Sequence, residues 1–220
     1  MSGRHELDTI VVNIELTLAS IIQGVALYFL TDNARAILSL RNWTAFLYVG
    51  AGLCVIFIFW SRSIIHTLTL MKWPLEFGHN FFYIACALGE AVLFTRLGRP
   101  LAWFGLSAIY AAFVWLLFIY DMRLIRARVN EARTNVERDF YCRTYADQLL
   151  NIRILVPLLF FFNLVCAIAI QAHPGFFIQR GGHVLLIVAQ LIAFTGYLRY
   201  IVRFFTAFAP ALLATRNAGG

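Results

Sequence analysis

Charge is scarce in this chain. Only 13% of its 220 residues are Asp, Glu, Lys or Arg, against about 25% in a soluble domain. Too few charges remain to wet the surface of a soluble enzyme of this length, and a 61% hydrophobic content excludes a disordered chain. Cysteine is also sparse. Cys54, Cys86, Cys142 and Cys166 make no C-x-x-C pair and three of them fall in apolar runs, so they read as buried or reduced thiols and not as a disulfide framework or a zinc site. Lysine is nearly absent: Lys72 stands alone among 18 basic residues. No HExxH, Walker A or glycine-rich nucleotide motif occurs, and no serine, cysteine or carboxylate constellation suggests hydrolysis or group transfer. The chain therefore reads as non-enzymatic and without a cofactor.

What is there in abundance is apolar sequence, with a mean hydropathy of +0.77. A membrane span needs about 20 mostly apolar residues, and segments 9–30, 43–60, 77–95, 101–120, 154–171 and 183–204 qualify. Turn signals separate them: Thr31-Asp32-Asn33, Trp73-Pro74, Gly98-Arg99-Pro100, Pro174-Gly175 and Gly181-Gly182. The first segment is led by Glu6 and Asp8 and is too long for a signal peptide, although Ala34-Arg35-Ala36 imitates a cleavage site. The expected fold is all-α, a polytopic membrane protein with six transmembrane helices forming one domain over 1–220.

Orientation follows from the basic residues. Thirteen fall on the side holding the N-terminus, the links 61–76 and 121–153 and the C-terminus; five fall on the other, at Arg35, Arg41, Arg96, Arg99 and Arg180. The positive-inside rule puts both termini in the cytoplasm. The net charge of +7 is thereby explained without nucleic acid. The arginine bias leans toward a bacterial source and hence an inner membrane.

The polar link 121–153 lacks proline and glycine, and its apolar residues Met122, Ile125, Val129, Ala132, Val136 and Phe140 recur at helical spacing. Thr134-x-x-Glu137 fits a capping box, and Arg133/Glu137, Asp139/Arg143 and Arg143/Asp147 are spaced to pair along a helix. The segment is expected to form a helical hairpin extending spans four and five into the cytoplasm. It would lie on the lipid surface or dock a cytoplasmic protein partner through Ile125, Val129, Val136 and Phe140.

Polar groups at hydrocarbon depth are the best pointers to function. In span one, Thr9, Asn13, Thr17, Ser20 and Gly24 share one face, with Leu27 interrupting before Thr31. Such a stripe allows close helix packing, or it lines a water-filled path in a homo-oligomer, with Leu27 as a constriction. Glu15 lies on the opposite face, and Arg62 and His66 at the end of span two are its expected partners, forming either a structural pair or a pH-sensitive gate. In span three, His79, Tyr83, Cys86 and Glu90 point one way, as in a proton relay or a set of interhelical hydrogen bonds to span one or six, where Gln190 and Thr195 lie. Asn163 and Gln190 read as mutual glue. Trp43, Trp60, Trp73, Trp103 and Trp115 with Tyr28, Tyr120, Tyr197 and Tyr200 mostly mark span ends, as an interfacial belt does.

Phe59-Trp60-Ser61-Arg62-Ser63-Ile64-Ile65-His66, followed by Asn80-Phe81-Phe82, is similar to a pattern at the end of helix two and the start of helix three in the prokaryotic relatives of the lysosomal potassium channel. The resemblance covers spans one to three. It implies a six-span chain with cytoplasmic termini and a tetrameric or pseudo-tetrameric pore lined by helix one. That family's Phe-Ser-Asp signature is absent, with Val11-Val12-Asn13 standing roughly in its place, so potassium selectivity does not carry over. Two other classes compete. One is a non-catalytic membrane subunit that docks a soluble partner through 121–153. The other is a haem-binding redox protein using His66, His79, His173 or His183. The leading expectation is oligomeric permeation of cations or protons.

Overall fold

The computed structural model describes residues 2–39, 43–70, 76–132 and 134–218. Within these limits the protein is all helix: α1 (Ser2–Leu38), α2 (Trp43–Leu70), α3 (Phe77–Phe94), α4 (Pro100–Glu131), α5 (Asn135–Leu150), α6 (Val156–Ala172) and α7 (His183–Ala218). Six segments are long and apolar enough to cross a membrane, as expected. The fifth runs unbroken from Asn135 to Ala172 through α5 and α6. This is a membrane protein by length and composition of its helices. The spans outrun the apolar segments, because the polar stretches at their ends stay helical. At 32 residues, α4 is about 48 Å long, well beyond the ~30 Å hydrocarbon thickness.

Two glycines at positive φ close connections that other residues would strain: Gly98 (φ 70°) turns α3 into α4, and Gly181 (φ 74°) precedes α7. Pro100 then opens α4 where its missing N–H costs nothing. Thr134 caps α5 by accepting from the Glu137 backbone N–H at 3.2 Å, the first half of the expected capping box. Between α5 and α6 the helix widens into a π turn, Asn151–Leu155. Its cause is Pro157, which cannot donate and whose ring would strike the Arg153 carbonyl four residues back. The Val156 N–H instead reaches five residues back to Asn151. A second π turn, Gly175–Gln179, follows Pro174.

Around the bundle, α1 packs on α2 and α3, α2 on α7, α4 on α3 and α6, and α5 on α4 and α7. The main core gathers Leu30, Tyr48, Phe94, Trp103, Phe104, Ile170 and Ile187 near the end where α7 starts. A smaller one, with Leu70, Ile125, Phe140 and Tyr141, binds α4 to α5 at the other end. These are called below the His183 end and the Asp121 end.

This small core overturns the docking surface expected from 121–153. Ile125 and Phe140 are buried, and Val129 packs against the same cluster; only Val136 remains exposed. An amphipathic hairpin can satisfy its own stripe, and here it does. Of the ion pairs expected there, Asp139–Arg143 forms at 2.9 Å on the surface. Asp147 turns inward instead of meeting Arg143, and Arg133, the partner proposed for Glu137, lies outside the described residues.

Candidate functional site

The two faces of α1 differ sharply. Glu15, Ala19, Gln23 and Ala26 are buried against α2 and α3, whereas Asn13, Thr17, Ser20 and Gly24 are exposed on the outside of the bundle together with Leu27. Nothing stands within 4 Å of the position a Gly24 Cβ would take. The hydroxyls on this face are turned to their own helix. Thr17 donates to the Asn13 carbonyl, Ser20 to Leu16 and Thr31 to Leu27, each at 2.8 Å. With its hydrogen spent on the backbone, each hydroxyl presents only oxygen lone pairs outward.

The buried faces of α1 to α7 carry a polar network in three groups. At the Asp121 end, one carboxylate joins three helices: Asp121 on α4 faces His79 Nδ1 of α3 at 2.7 Å and His66 Nδ1 of α2 at 3.1 Å, all nearly inaccessible. Because an ionised carboxylate can only accept, both Nδ1 atoms carry hydrogen here. Beside it, Arg62 donates to Asp147 at 2.7 Å and lies over the Phe118 ring. Asp147 also accepts from the Tyr200 hydroxyl, and Asn151, in the π turn, accepts from the Tyr197 hydroxyl. Glu15 accepts from the Asn80 side chain at 2.8 Å. The expected Glu15–Arg62 and Glu15–His66 pairs are thus not made: each of the three finds a different partner.

Mid-bundle, the α3 stripe of His79, Tyr83, Cys86 and Glu90 is buried along its whole length. Glu90 is wholly inaccessible, accepting from the Tyr110 hydroxyl of α4 at 2.9 Å and from Gln23 of α1 at 3.4 Å. Its partners therefore come from α1 and α4 and not from the sixth span, where Thr195 is exposed. Tyr83 stacks on His79 at 6.2 Å, and its hydroxyl lies near the side chains of Ser63 and Gln23.

Toward the His183 end, Gln190 donates to Asn163 at 2.7 Å and accepts from Trp103 at 2.8 Å. The Asn163–Gln190 pair is as expected, but Trp103 is no belt residue: it is fully buried. Tyr197 and Tyr200 likewise leave the belt for the polar network, while Trp43 and Tyr28 stay exposed. Tyr48 and His183 meet at 3.2 Å nearer the rim.

Asp121 and Asp147 were the residues overlooked. Both carried a signal: Asp121 shares a helical face with Leu117 and Ile125, and Asp147 with Phe140, Thr144 and Asn151, which are all buried. As to other chemistry, no three His, Cys, Asp or Glu side chains among the described residues converge as metal ligands.

No family model matches this chain, and neither a curated protein nor a solved structure matches it.

Proposed function

We propose that this chain is a non-enzymatic membrane protein that assembles into a homo-oligomer and lets cations or protons cross the bilayer along the α1 stripe. The observation that carries this reading is the placement of Asn13, Thr17, Ser20 and Gly24 on the outside of the bundle. Facing lipid, an asparagine side chain and a row of polar oxygens are expensive. Facing the same stripe of neighbouring copies around a symmetry axis, they enclose a polar path. The outward lone pairs of Thr17, Ser20 and Thr31 favour a cation over an anion, in the way that rings of oxygen acceptors replace an ion's hydration shell. Leu27, also exposed, is the constriction in that path. Orientation by the arginine count places the Asp121 end and both termini in the cytoplasm, with α4 and α5 projecting beyond the bilayer. The resemblance of spans one to three to prokaryotic relatives of the lysosomal potassium channel points the same way, and a bacterial inner membrane is the setting that suits it.

The test is ion flux through purified protein in liposomes. Wild-type protein should pass a monovalent cation, and Asn13→Leu and Thr17→Leu should lower the flux at least about tenfold without loss of folded protein. Silent wild-type protein with native helix content, or full flux through Asn13→Leu, contradicts the reading.

A further inference from the structure

At the Asp121 end, charge balances only if histidine supplies part of it. Glu15 of α1, Asp121 of α4 and Asp147 of α5 are all buried. Arg62 is the one buried arginine or lysine among the described residues, and its guanidinium is bonded to Asp147. Two carboxylates are left. Glu15 has the neutral amide of Asn80, and Asp121 has the rings of His66 and His79. A buried carboxylate without a compensating charge is costly. Two imidazolium charges would cancel both.

The same cluster sits where the bundle is thinly packed. Along its length α2 is held by α1 and α7, and α3 by α1 and α4, whereas α2 touches α3 and α4 at few points. Asp121 crosses that seam, with one oxygen 3.1 Å from His66 of α2 and the other 2.7 Å from His79 of α3.

We propose that His66, Asp121 and His79 form a proton-held latch, which fastens α2 to α3 and α4 while the rings are charged and lets them part as rising pH removes the protons. Histidine is the side chain whose charge changes near neutral pH. A charged ring gives Asp121 a charge-assisted hydrogen bond; a neutral ring still donates through Nδ1 but no longer cancels the carboxylate. The groups around the cluster add to this dependence. Glu15 of α1 and Glu76, just before α3, both face His79, and Cys86 of α3 lies near Asp121. On α2 itself Arg62 stands one turn from His66, with Asp147 of α5 and Tyr197 and Tyr200 of α7 gathered around it. None of these replaces an imidazolium once it is lost. Because the fastened state holds protons that the parted state gives up, each unit of rising pH shifts the balance toward parting by up to about tenfold per proton. Asn80, next to His79, holds Glu15, so release at the seam also reaches α1.

The experiment follows the seam in detergent from mildly acidic to mildly alkaline pH. With the native cysteines replaced by alanine, spin labels go on Trp60→Cys of α2 and Ala127→Cys of α4, both exposed positions. Dilution with unlabelled chain makes pairs within one protomer report. The distance should lengthen as pH rises. His66→Gln and His79→Gln, each alone, should make that transition shallower, and Asp121→Asn should give the longer distance at every pH. A distance that ignores pH, or a transition unchanged in both histidine variants, overturns the inference. Thermal unfolding gives a second readout that needs no labels. The wild-type midpoint should fall by several degrees over the same rise in pH, and less in either histidine variant; equal falls in all three overturn the latch, since a merely structural cluster loses stability without changing the pH profile. Neither readout involves ion flux, so the latch is tested apart from the α1 path.

Discussion

Arg62 has five N–H groups, and a single carboxylate answers one of them. Arg62 and Asp147 are both nearly inaccessible, so removing either strands the other as a buried charge. Arg62→Met or Asp147→Leu alone should therefore cost about 3–5 kcal/mol, while the double variant should recover most of that loss. Chemical unfolding of the four proteins in detergent measures the cycle, and additive losses would show that the pair does not act as a unit. Asp121 works differently, as an acceptor for two rings. Asp121→Asn removes the charge both rings face and turns an amide N–H toward one of them, leaving that histidine Nδ1 without an acceptor, and should lower stability by about 1–3 kcal/mol, read as a lower thermal midpoint. These two aspartates also mark where the sequence stopped being legible at this scale. Both lie where spans four and five meet the polar link, so they read as surface residues, and Arg143 stood four residues from Asp147 as a ready helical partner. The helical faces they share with apolar residues hint at burial, but the partners come from other helices, Arg62 for Asp147 and His66 and His79 for Asp121, and no local spacing names those.

Among the helices, legibility was uneven for physical reasons. Six spans could be read because the cost of hydrocarbon exposure imposes long apolar runs. The helical hairpin over 121–153 could be read too, from its period, whereas the ends of α1 and α7 could not, because both stay helical beyond their apolar runs. The stripe Ile125–Val129–Phe140 showed its amphipathic period plainly, but periodicity cannot say whether a hairpin buries its stripe within itself or offers it to another protein. On α1, by contrast, the spacing separated Asn13, Thr17, Ser20 and Gly24 from Glu15 on opposite faces, but it could not say which face would be buried in the bundle. Its two-sidedness gives a clean contrast between glycines. A Cβ at Gly52 on α2 would lie 2.6 Å from Leu30 and 3.2 Å from Phe94, whereas one at Gly24 would meet nothing. Gly52→Val should loosen the α1–α2 contact and lower the thermal midpoint by several degrees. Gly24→Val should leave protomer stability unchanged and impair assembly and flux; equal thermal losses in the two would contradict the assignment of these faces.

For the whole molecule, the two polar systems have different tasks. The interior network, from Asp121 through Glu90 to Gln190, ties the spans to one another, while on the exposed stripe of α1 the hydroxyls of Thr17 and Ser20 are met by their own helix alone. That imbalance is why the protein is assigned an oligomeric path, and water access decides it. With Cys54, Cys86, Cys142 and Cys166 replaced by alanine, a single cysteine at Ser20 or at Val165, the latter 62% exposed on α6, can be probed in membranes with a water-soluble thiol reagent. Ser20→Cys should react, and its flux should fall as it does, whereas Val165→Cys should stay inert in lipid. A Ser20→Cys protein as unreactive as Val165→Cys would show that the stripe never meets water.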